Sequence, residues 1–406
     1  MIDMDRKAEH HIPYFDEDLF SAKALRDPFP FYHAIRDMGP VVRLRRPDVY
    51  AIGRFADVQK ALRSPDILVS GQGVAFNDLT NAPSPQPATI SSDGERHRKL
   101  RSVLSKPLMP AALKEHRERL SALITARIEE LIDQPEFDAV TGIAQHLPVQ
   151  AISYLVGLPE EGRSRMLDWA SAVFNTSGPL ATDGEEEEPD ILTDLALRDD
   201  ALRYLLSVDA QHLRPGSWSD ALFQAVHAGK LALGEARAAL SGLVVPSLDT
   251  TILSKANLLY NLGLNRHYWD MLRANPKLIP SAVFEGVRYS AVVRWFSRVA
   301  VRDYEVGGFT IPAGSRVMIL YGSANRDERQ YGNADCFDLT RNPVDQLGWG
   351  TGPHMCAGMH LARLEMEVML EAMIGTVARI EVGTPELITN RGLYGLRNLP
   401  MKLFSR

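Results

Sequence analysis

One cysteine in this 406-residue chain stands where a thiol could do chemistry. Cys356 follows a glycine-rich segment that begins at Gly348, and an apolar helix is predicted from about Ala357 to Ile374. Glycine lets the backbone approach a flat ligand closely, and a helix N-terminus stabilises a thiolate. Such a thiolate could be a nucleophile or the proximal ligand of haem iron. The alternative is a buried, unreactive cysteine, but loop, spacing and helix together argue against it.

The loop resembles the haem-binding loop of cytochrome P450 enzymes, whose pattern is Phe-x-x-Gly-x-x-x-Cys-x-Gly. Trp349, Gly352, Cys356 and Gly358 carry this pattern, with Trp349 in the place of the usual Phe. The resemblance implies that Cys356 is the axial thiolate of haem b and that Trp349 keeps an aromatic ring on the sulfur side. It also implies that His354 binds a haem propionate.

The resemblance covers nearly the whole chain. Glu285 and Arg288 match the family's Glu-x-x-Arg, which implies a structural pair behind the haem, although such pairs are usually exposed and weak. By the same resemblance His97, Arg101 and Arg298 are expected to bind propionates, since arginine forks suit carboxylates. His97 and Arg101 lie four apart on one face of a predicted helix.

A second group lies on a predicted long, buried helix that starts near residue 234 and runs past 264. Pro246 removes one backbone donor and predicts a kink. The resemblance implies that Asp249 and Thr250, just beyond it, are the family's acid–alcohol pair, which delivers protons to iron-bound oxygen. The alternative is that the hydroxyl only bonds its own helix. Pro246 and Ser247 depart from the family's small residues at this point.

The family's variable segments are expected to form the substrate pocket, and here they are almost entirely apolar. The predicted pocket residues are Phe76, Phe174, Leu243, Val293, Phe296 and Leu393. This lining implies a small apolar or aromatic substrate. The pattern looks closest to bacterial members that hydroxylate or O-demethylate small aryl compounds with O2. Arg294 is the charged exception in these apolar segments. Three placements are open for its side chain: in solvent, near a propionate, or against the ligand.

Electrons are expected from separate proteins, because no G-x-G-x-x-G follows a predicted strand. The resemblance implies an iron–sulfur ferredoxin and its reductase. A basic cluster would steer an acidic partner on this globally acidic chain: Arg96, Arg98, Lys99 and Arg101. A haem-thiolate peroxygenase, isomerase or dehydratase remains an alternative, against which the Asp249–Thr250 pair argues. A non-catalytic haem-binding protein is a further alternative.

The amino-acid composition excludes several other classes of protein. Hydrophobic residues are 45% and charged residues 24%, as in ordinary globular proteins. A net charge of −6 argues against a nucleic-acid binder, and two cysteines exclude a disulfide framework or a four-thiolate metal site. No apolar run reaches about 18 residues and no signal-peptide pattern opens the chain, so we expect a cytoplasmic protein without a membrane span.

The predicted fold is mainly α with a small β-rich side region, namely the cytochrome P450 fold. A single domain over residues 1–406 is expected, with haem between the buried long helix and the cysteine helix. We predict a hairpin over 41–52 and a β-rich part over 305–314. Residues 66–92 should form an irregular loop, and the glutamates at 185–188 a solvated loop tip. Further helices are predicted at 57–62, 110–132, 143–158, 163–176, 266–274 and 279–289.

Overall fold

Helices dominate the computed structural model of the protein, which describes residues 11–82, 86–180 and 191–406. The α-helices are α1 (Ala22–Arg26), α2 (Phe29–Met38), α3 (Phe55–Leu62), α4 (Gly94–Leu104), α5 (Pro110–Leu113), α6 (Arg117–Leu131), α7 (Ser153–Val156), α8 (Glu160–Arg163), α9 (Met166–Asn175), α10 (Ile191–Ser207), α11 (Trp218–His227), α12 (Leu233–Val244), α13 (Asp249–Leu264), α14 (Arg266–Ala274), α15 (Ile279–Ser290), α16 (Tyr321–Asn325) and α17 (Met359–Thr376). The predicted glutamate loop lies outside the described residues.

Most strands come from two stretches of the chain, residues 14–69 and residues 295–405. They are β1 (Tyr14–Phe15), β2 (Val42–Arg45), β3 (Asp48–Ile52), β4 (Leu68–Val69), β5 (Phe137–Asp138), β6 (Trp295–Ala300), β7 (Tyr304–Val306), β8 (Phe309–Ile311), β9 (Arg316–Leu320), β10 (Val377–Val382), β11 (Glu386–Leu387), β12 (Leu396–Asn398) and β13 (Pro400–Ser405). The largest sheet has the order β1-β2-β3-β9-β6-β4, and a three-stranded sheet has the order β10-β13-β5. Two-stranded ribbons form from β7 with β8 and from β11 with β12.

The predicted hairpin, the predicted β-rich part and several helices are confirmed. Strands β2 and β3 pair antiparallel, with Val42 opposite Ala51, and β7 pairs with β8 within the predicted β-rich part. Helix α14 has the predicted bounds, and α15 and α17 differ from prediction by one or two residues. The predicted helix over 110–132 is interrupted by a 3₁₀ turn at Lys114–His116. The predicted helix over 143–158 is α-helical only in part, because π-helical turns occupy Val140–Ala144 and Pro148–Ile152 before α7 begins.

The prediction of one continuous helix from 234 past 264 is wrong. Helix α12 ends at Val244, a 3₁₀ turn occupies Val245–Ser247, and α13 begins at Asp249. Pro246 explains the break, since it cannot donate to the carbonyl four residues earlier and its ring crowds that carbonyl. The backbone of Leu248 differs from regular helix, with φ −105° and ψ −70°. The proline therefore divides the element rather than only bending it.

Helices α13 and α17 form the centre of the large hydrophobic core, and each packs against α15. A buried ion pair joins them to each other. Lys255 Nζ on α13 lies 2.8 Å from Glu365 Oε2 on α17, and neither residue is exposed to solvent. Burial lowers the pKa of Lys255 and raises the pKa of Glu365, while each partner opposes that shift. Removing either charge alone would leave the other unpaired in the core, which is strongly destabilising.

Candidate haem-thiolate site

The loop before α17 is held by its glycines in a shape that presents Cys356. Gly350 and Gly352 have φ of +68° and +71°, a region that L side chains rarely adopt. A Cβ on Gly352 would also lie 2.5 Å from the Leu62 carbonyl oxygen at the end of α3. The Cys356 amide donates to the Trp349 carbonyl at 2.8 Å. The loop therefore packs tightly on α3 and closes on itself just before the helix.

The Cys356 sulfur lies at the start of α17. Its side chain is solvent-accessible, yet protein atoms surround the sulfur closely. Burial raises the pKa of the thiol, while backbone amides of Gly358 and Met359 and the Arg101 guanidinium oppose the rise. A metal cation at the open side would deprotonate the thiol outright, so this donor set suits a thiolate-ligated metal.

Trp349 and Arg101 flank the loop. The Trp349 ring packs edge-on against Phe284 of α15, with centroids 5.7 Å apart. Arg101 Nη2 on α4 donates to the Met355 carbonyl, the residue before the cysteine. The structure thus brings both residues to the cysteine loop.

His97 and His354 lie together beside this loop. Their ring centroids are 4.2 Å apart, although His97 comes from α4 and His354 from the loop itself. His354 Nε2 lies 3.3 Å from Ser70 Oγ and 3.6 Å from the Asp93 carboxylate. Burial, then His354 and Arg101, lower the pKa of His97 to about 4, and its Nε2 has no hydrogen-bond partner within the described part of the chain. A buried, unpaired ring nitrogen needs a ligand partner to offset its desolvation.

Arg298 is a further buried cation near the cysteine loop's side of the sheet that, like Arg101, pairs with no carboxylate among the described residues. It is buried on β6, donates to the Ser297 carbonyl at 2.7 Å and also contacts Tyr321. Within the described ranges, no Asp or Glu side chain lies within salt-bridge distance of Arg298 or Arg101. Together with the unpaired His97 nitrogen, they could bind the carboxylates of a ligand. The residues present therefore fit a haem with its two propionates.

Glu285 and Arg288 form a fully buried pair on α15. Arg288 Nε and Nη2 each donate to one oxygen of Glu285 at 2.7 Å, and neither side chain is exposed. The remaining donors of Arg288 reach three carbonyls of the segment before the cysteine loop, those of Asn325, Ala334 and Cys336. The pair therefore fixes that segment to α15, as expected for a structural role.

Asp249 and Thr250 lie just beyond the helix break. Thr250 Oγ1 donates to the Pro246 carbonyl at 2.9 Å, so the hydroxyl does make a local bond, to the turn that precedes its helix. Burial and, to a smaller extent, the Asp168 carboxylate on α9 raise the pKa of Asp249 to about 7. A carboxyl with such a pKa can hold a proton or release it near neutral pH.

Four of the predicted pocket residues come together and two do not join them. Phe174, Val293, Phe296 and Leu393 share one small apolar cluster, in which Val293 and Leu393 form an isolated β-bridge. Leu243 instead belongs to the large core. Phe76 packs on the Trp295 ring in another core region, at 4.5 Å between centroids.

Sequence reasoning missed two members of this apolar cluster, Leu253 and Ile388. Leu253 follows Thr250 by three residues on the same helix, a spacing that could have indicated it.

Arg294 is neither solvated nor ligand-facing. It is buried and donates to the carbonyls of Ala24, Leu25 and Leu393. Its partners lie far away in sequence, so it serves to join the N-terminal helix to the C-terminal part.

Most side chains of the predicted basic cluster already bind partners within the fold. Lys99 Nζ lies 2.6 Å from Glu235 of α12, and Arg96 donates to Gln86 and to the Pro87 carbonyl. Arg98 is exposed. No Asp or Glu among the described residues pairs with it. Most of the cluster therefore holds α4 against its neighbours.

These features define a haem-thiolate protein, and comparisons with known proteins agree. The family model for cytochrome P450 matches residues 273–378. Cytochrome p450 CYP199A2 of Rhodopseudomonas palustris is 33% identical, covering 97% of this chain and 95% of its own length. The β-dihydromenaquinone-9 omega-hydroxylase of Mycobacterium tuberculosis is 31% identical, covering 96% and 79%. The structure of CYP109B1 from Bacillus subtilis superposes with a TM-score of 0.77 at 27% identity, covering 95% of this chain and all of that one.

The chain belongs to the cytochrome P450 family and has its fold. It is accordingly a monooxygenase that carries haem b. In the described ranges no helix has both the length and the hydropathy to cross a membrane.

Proposed function

We propose that this enzyme inserts one oxygen atom from O2 into a small apolar, aromatic substrate, by hydroxylation or O-demethylation, with electrons from a ferredoxin. The apolar cluster around Phe174, Phe296 and Leu393 supports the substrate class, because it offers aromatic and aliphatic surfaces and few polar groups. Phe174 and Phe296 have ring centroids 6.5 Å apart. The tilted rings suit a flat aromatic molecule.

The predicted haem-binding side chains have distinct roles in this proposal. Bound haem would supply the iron at which O2 is activated. Cys356 would ligate that iron, with its thiolate stabilised by the amides at the start of α17. His97, Arg101, Arg298 and His354 would bind the propionates and so orient the ring.

The observation that carries the proposal is the raised pKa of the Asp249 carboxyl, on the residue directly before Thr250. Oxygen activation needs protons on the distal side, and a group with a pKa of about 7 can supply them at neutral pH. The Thr250 hydroxyl is held on the Pro246 carbonyl, where it can accept from a water molecule and position it. Isomerases and dehydratases need no such proton delivery, so the pair favours a monooxygenase.

A ferredoxin would dock on the face that carries the cysteine loop. Arg63 is exposed and its Nε reaches Thr351 of the loop at 3.3 Å. Arg98 is exposed on α4, the helix that also contacts Met355 through Arg101. Among the described residues, neither Arg63 nor Arg98 has an Asp or Glu partner, and two such cations would attract an acidic protein and speed its association.

The test is reconstitution of the haem-loaded enzyme with a bacterial [2Fe–2S] ferredoxin, its reductase, NADH and 4-ethylanisole. We expect formaldehyde or a hydroxylated product in amounts that depend on ferredoxin. Arg98→Glu should raise the ferredoxin KM at low salt, and Arg203→Glu on α10 serves as the control. Product formation with hydrogen peroxide alone, and none with the ferredoxin system, would instead indicate a peroxygenase.

A further inference from the structure

Helix α10 has apolar side chains on two opposite faces. Ala201 and Leu205 are buried against the rest of the fold. On the opposite face Leu192 and Leu206 are 76% and 52% exposed, and Leu202 at its edge is 42% exposed. Single exposed leucines are ordinary on protein surfaces, but several on one helix face are typical of an interaction site.

The exposed face is a straight row with the spacing of a coiled-coil seam. Its members, which we call the α10 row, are separated by four, three, four and three residues, and all are exposed: Leu192, Ala196, Asp199, Arg203 and Leu206. At 3.6 residues per turn they lie within about 80° of one another around the helix. An open groove on the helix is lined by four of them together with Leu202. Such a repeat is the pattern through which helices pair with other helices.

The middle of the α10 row is charged, and these charges are not matched to each other within the chain. No carboxylate of the described residues lies within salt-bridge distance of Arg203, whose Nε donates to the Asp199 carbonyl at 3.3 Å. The Asp199 carboxylate accepts from Arg198 at 3.0 Å through Oδ1 and is still 59% exposed. Polar residues inside an apolar seam determine which partner fits, and in which register.

A second copy of α10, running antiparallel, matches the α10 row. When the two helices cross level with residue 201, Asp199 lies opposite Arg203 of the second copy, and the two-fold axis forms this pair twice. The same register sets the small Ala196 opposite Leu206 of the second copy, so a small side chain meets a large one. A parallel pair would instead set each charge against its own copy, which is repulsive.

We propose that α10 is the interface of a homodimer, in which two copies pair antiparallel through the α10 row. The matched part, residues 196–206, is roughly 15 Å long. This interface is smaller than the ~800 Å² per partner of standard complexes, so the dimer is weak and forms only in concentrated solution. The inference does not depend on the substrate or the electron donor of the proposed function. Turnover assays use enzyme too dilute to form this dimer, so Arg203→Glu keeps its place as a control there.

The experiment is sedimentation velocity of the haem-loaded enzyme over a series of concentrations up to the high micromolar range. We expect a monomer–dimer equilibrium in wild type. Arg203→Glu should raise the dimer dissociation constant about tenfold or more, because like charges then meet twice across the axis. Leu206→Gln should also raise it. The matched control is Leu264→Gln at the end of α13, where the leucine is 61% exposed but outside the α10 row, and it should leave the constant unchanged.

Charge exchange tests the antiparallel register. Asp199→Arg alone should weaken the dimer as Arg203→Glu does, and the double variant should restore it, because the exchanged charges still match. The two single variants should form a heterodimer when they are mixed, since every carboxylate of one then meets a guanidinium of the other. Circular dichroism checks that each variant is folded, and Arg203→Glu and Leu206→Gln remain informative if Asp199→Arg is not.

A wild type that stays monomeric throughout the series would overturn the inference. So would a dimer that Arg203→Glu and Leu206→Gln leave unchanged, or folded single variants that do not associate when mixed. Binding of a monomeric wild type to phosphatidylcholine vesicles, lost in Leu206→Gln, would assign the leucines to a lipid surface and overturn the homodimer too.

Discussion

Replacing Glu285 by alanine should cost the protein roughly 3–5 kcal/mol of unfolding free energy, because it leaves a buried charge unpaired. The two oxygens of Glu285 accept hydrogen bonds from Arg288, each at 2.7 Å, with both side chains fully buried. A hydrogen bond to a charged group contributes about 1.5–3 kcal/mol, so two lost bonds account for a loss of that size. The Asp338 amide, 2.8 Å from the same carboxylate, would lose its partner too.

The loss should also reduce haem incorporation, since Arg288 holds the carbonyls of Asn325, Ala334 and Cys336 in the segment before the cysteine loop. The assays are urea denaturation followed by circular dichroism, and haem per protein from absorbance. Glu285→Leu combined with Arg288→Met should recover part of the stability, because neither ion remains unpaired.

Glu130→Ala is the matched control. Arg127 and Glu130 have the same i,i+3 spacing at 2.9 Å, but Glu130 is 65% exposed. Such an exposed pair contributes about 0–1 kcal/mol. A Glu285→Ala protein that holds a full complement of haem and unfolds no more easily than Glu130→Ala would refute the reasoning.

Three further results are expected at the reaction centre. Cys356→His should lose the red-shifted Soret band of the reduced carbon monoxide complex, because imidazole donates less electron density to iron; a surviving band would exclude Cys356 as the ligand. Thr250→Ala should still consume reductant but release hydrogen peroxide, with a loss of ~10²–10⁴ in the proton-dependent step. Equal product-to-reductant ratios in Thr250→Ala and Thr250→Ser would move the relay elsewhere. Asp249 loses its proton as pH rises through about 7, so product per reductant should fall above that pH. Asp168→Asn should shift this midpoint to lower pH, Asp249→Asn should abolish it, and an unshifted midpoint in both would assign it to another group.

The sequence predicted best those features whose residues lie close together in the chain. The cysteine loop, the Glu285–Arg288 pair and the hairpin at β2 and β3 each depend on residues a few positions apart, so their spacing could be read directly. Lys255 and Glu365 are 110 positions apart, and nothing local marks either as the other's partner.

Strand pairs such as β6 with β9 likewise depend on contacts that chain order does not reveal. Arg294 was misjudged for the same reason, since its carbonyl partners lie about 100 and 270 residues away. The break at Pro246 was expected only as a kink. Helix propensity on both sides of the proline gave no measure of how far the helix would unwind.

The ion pair between Lys255 and Glu365 has a consequence for how the protein opens. Neither charge can be hydrated until α13 and α17 have both moved from the core, so the two helices should open together as one cooperative unit. The slowest-exchanging amides of both helices should report the same free energy of opening in hydrogen–deuterium exchange. A haem between these helices would then dissociate at a rate governed by opening of the core, rather than by the motion of a surface loop.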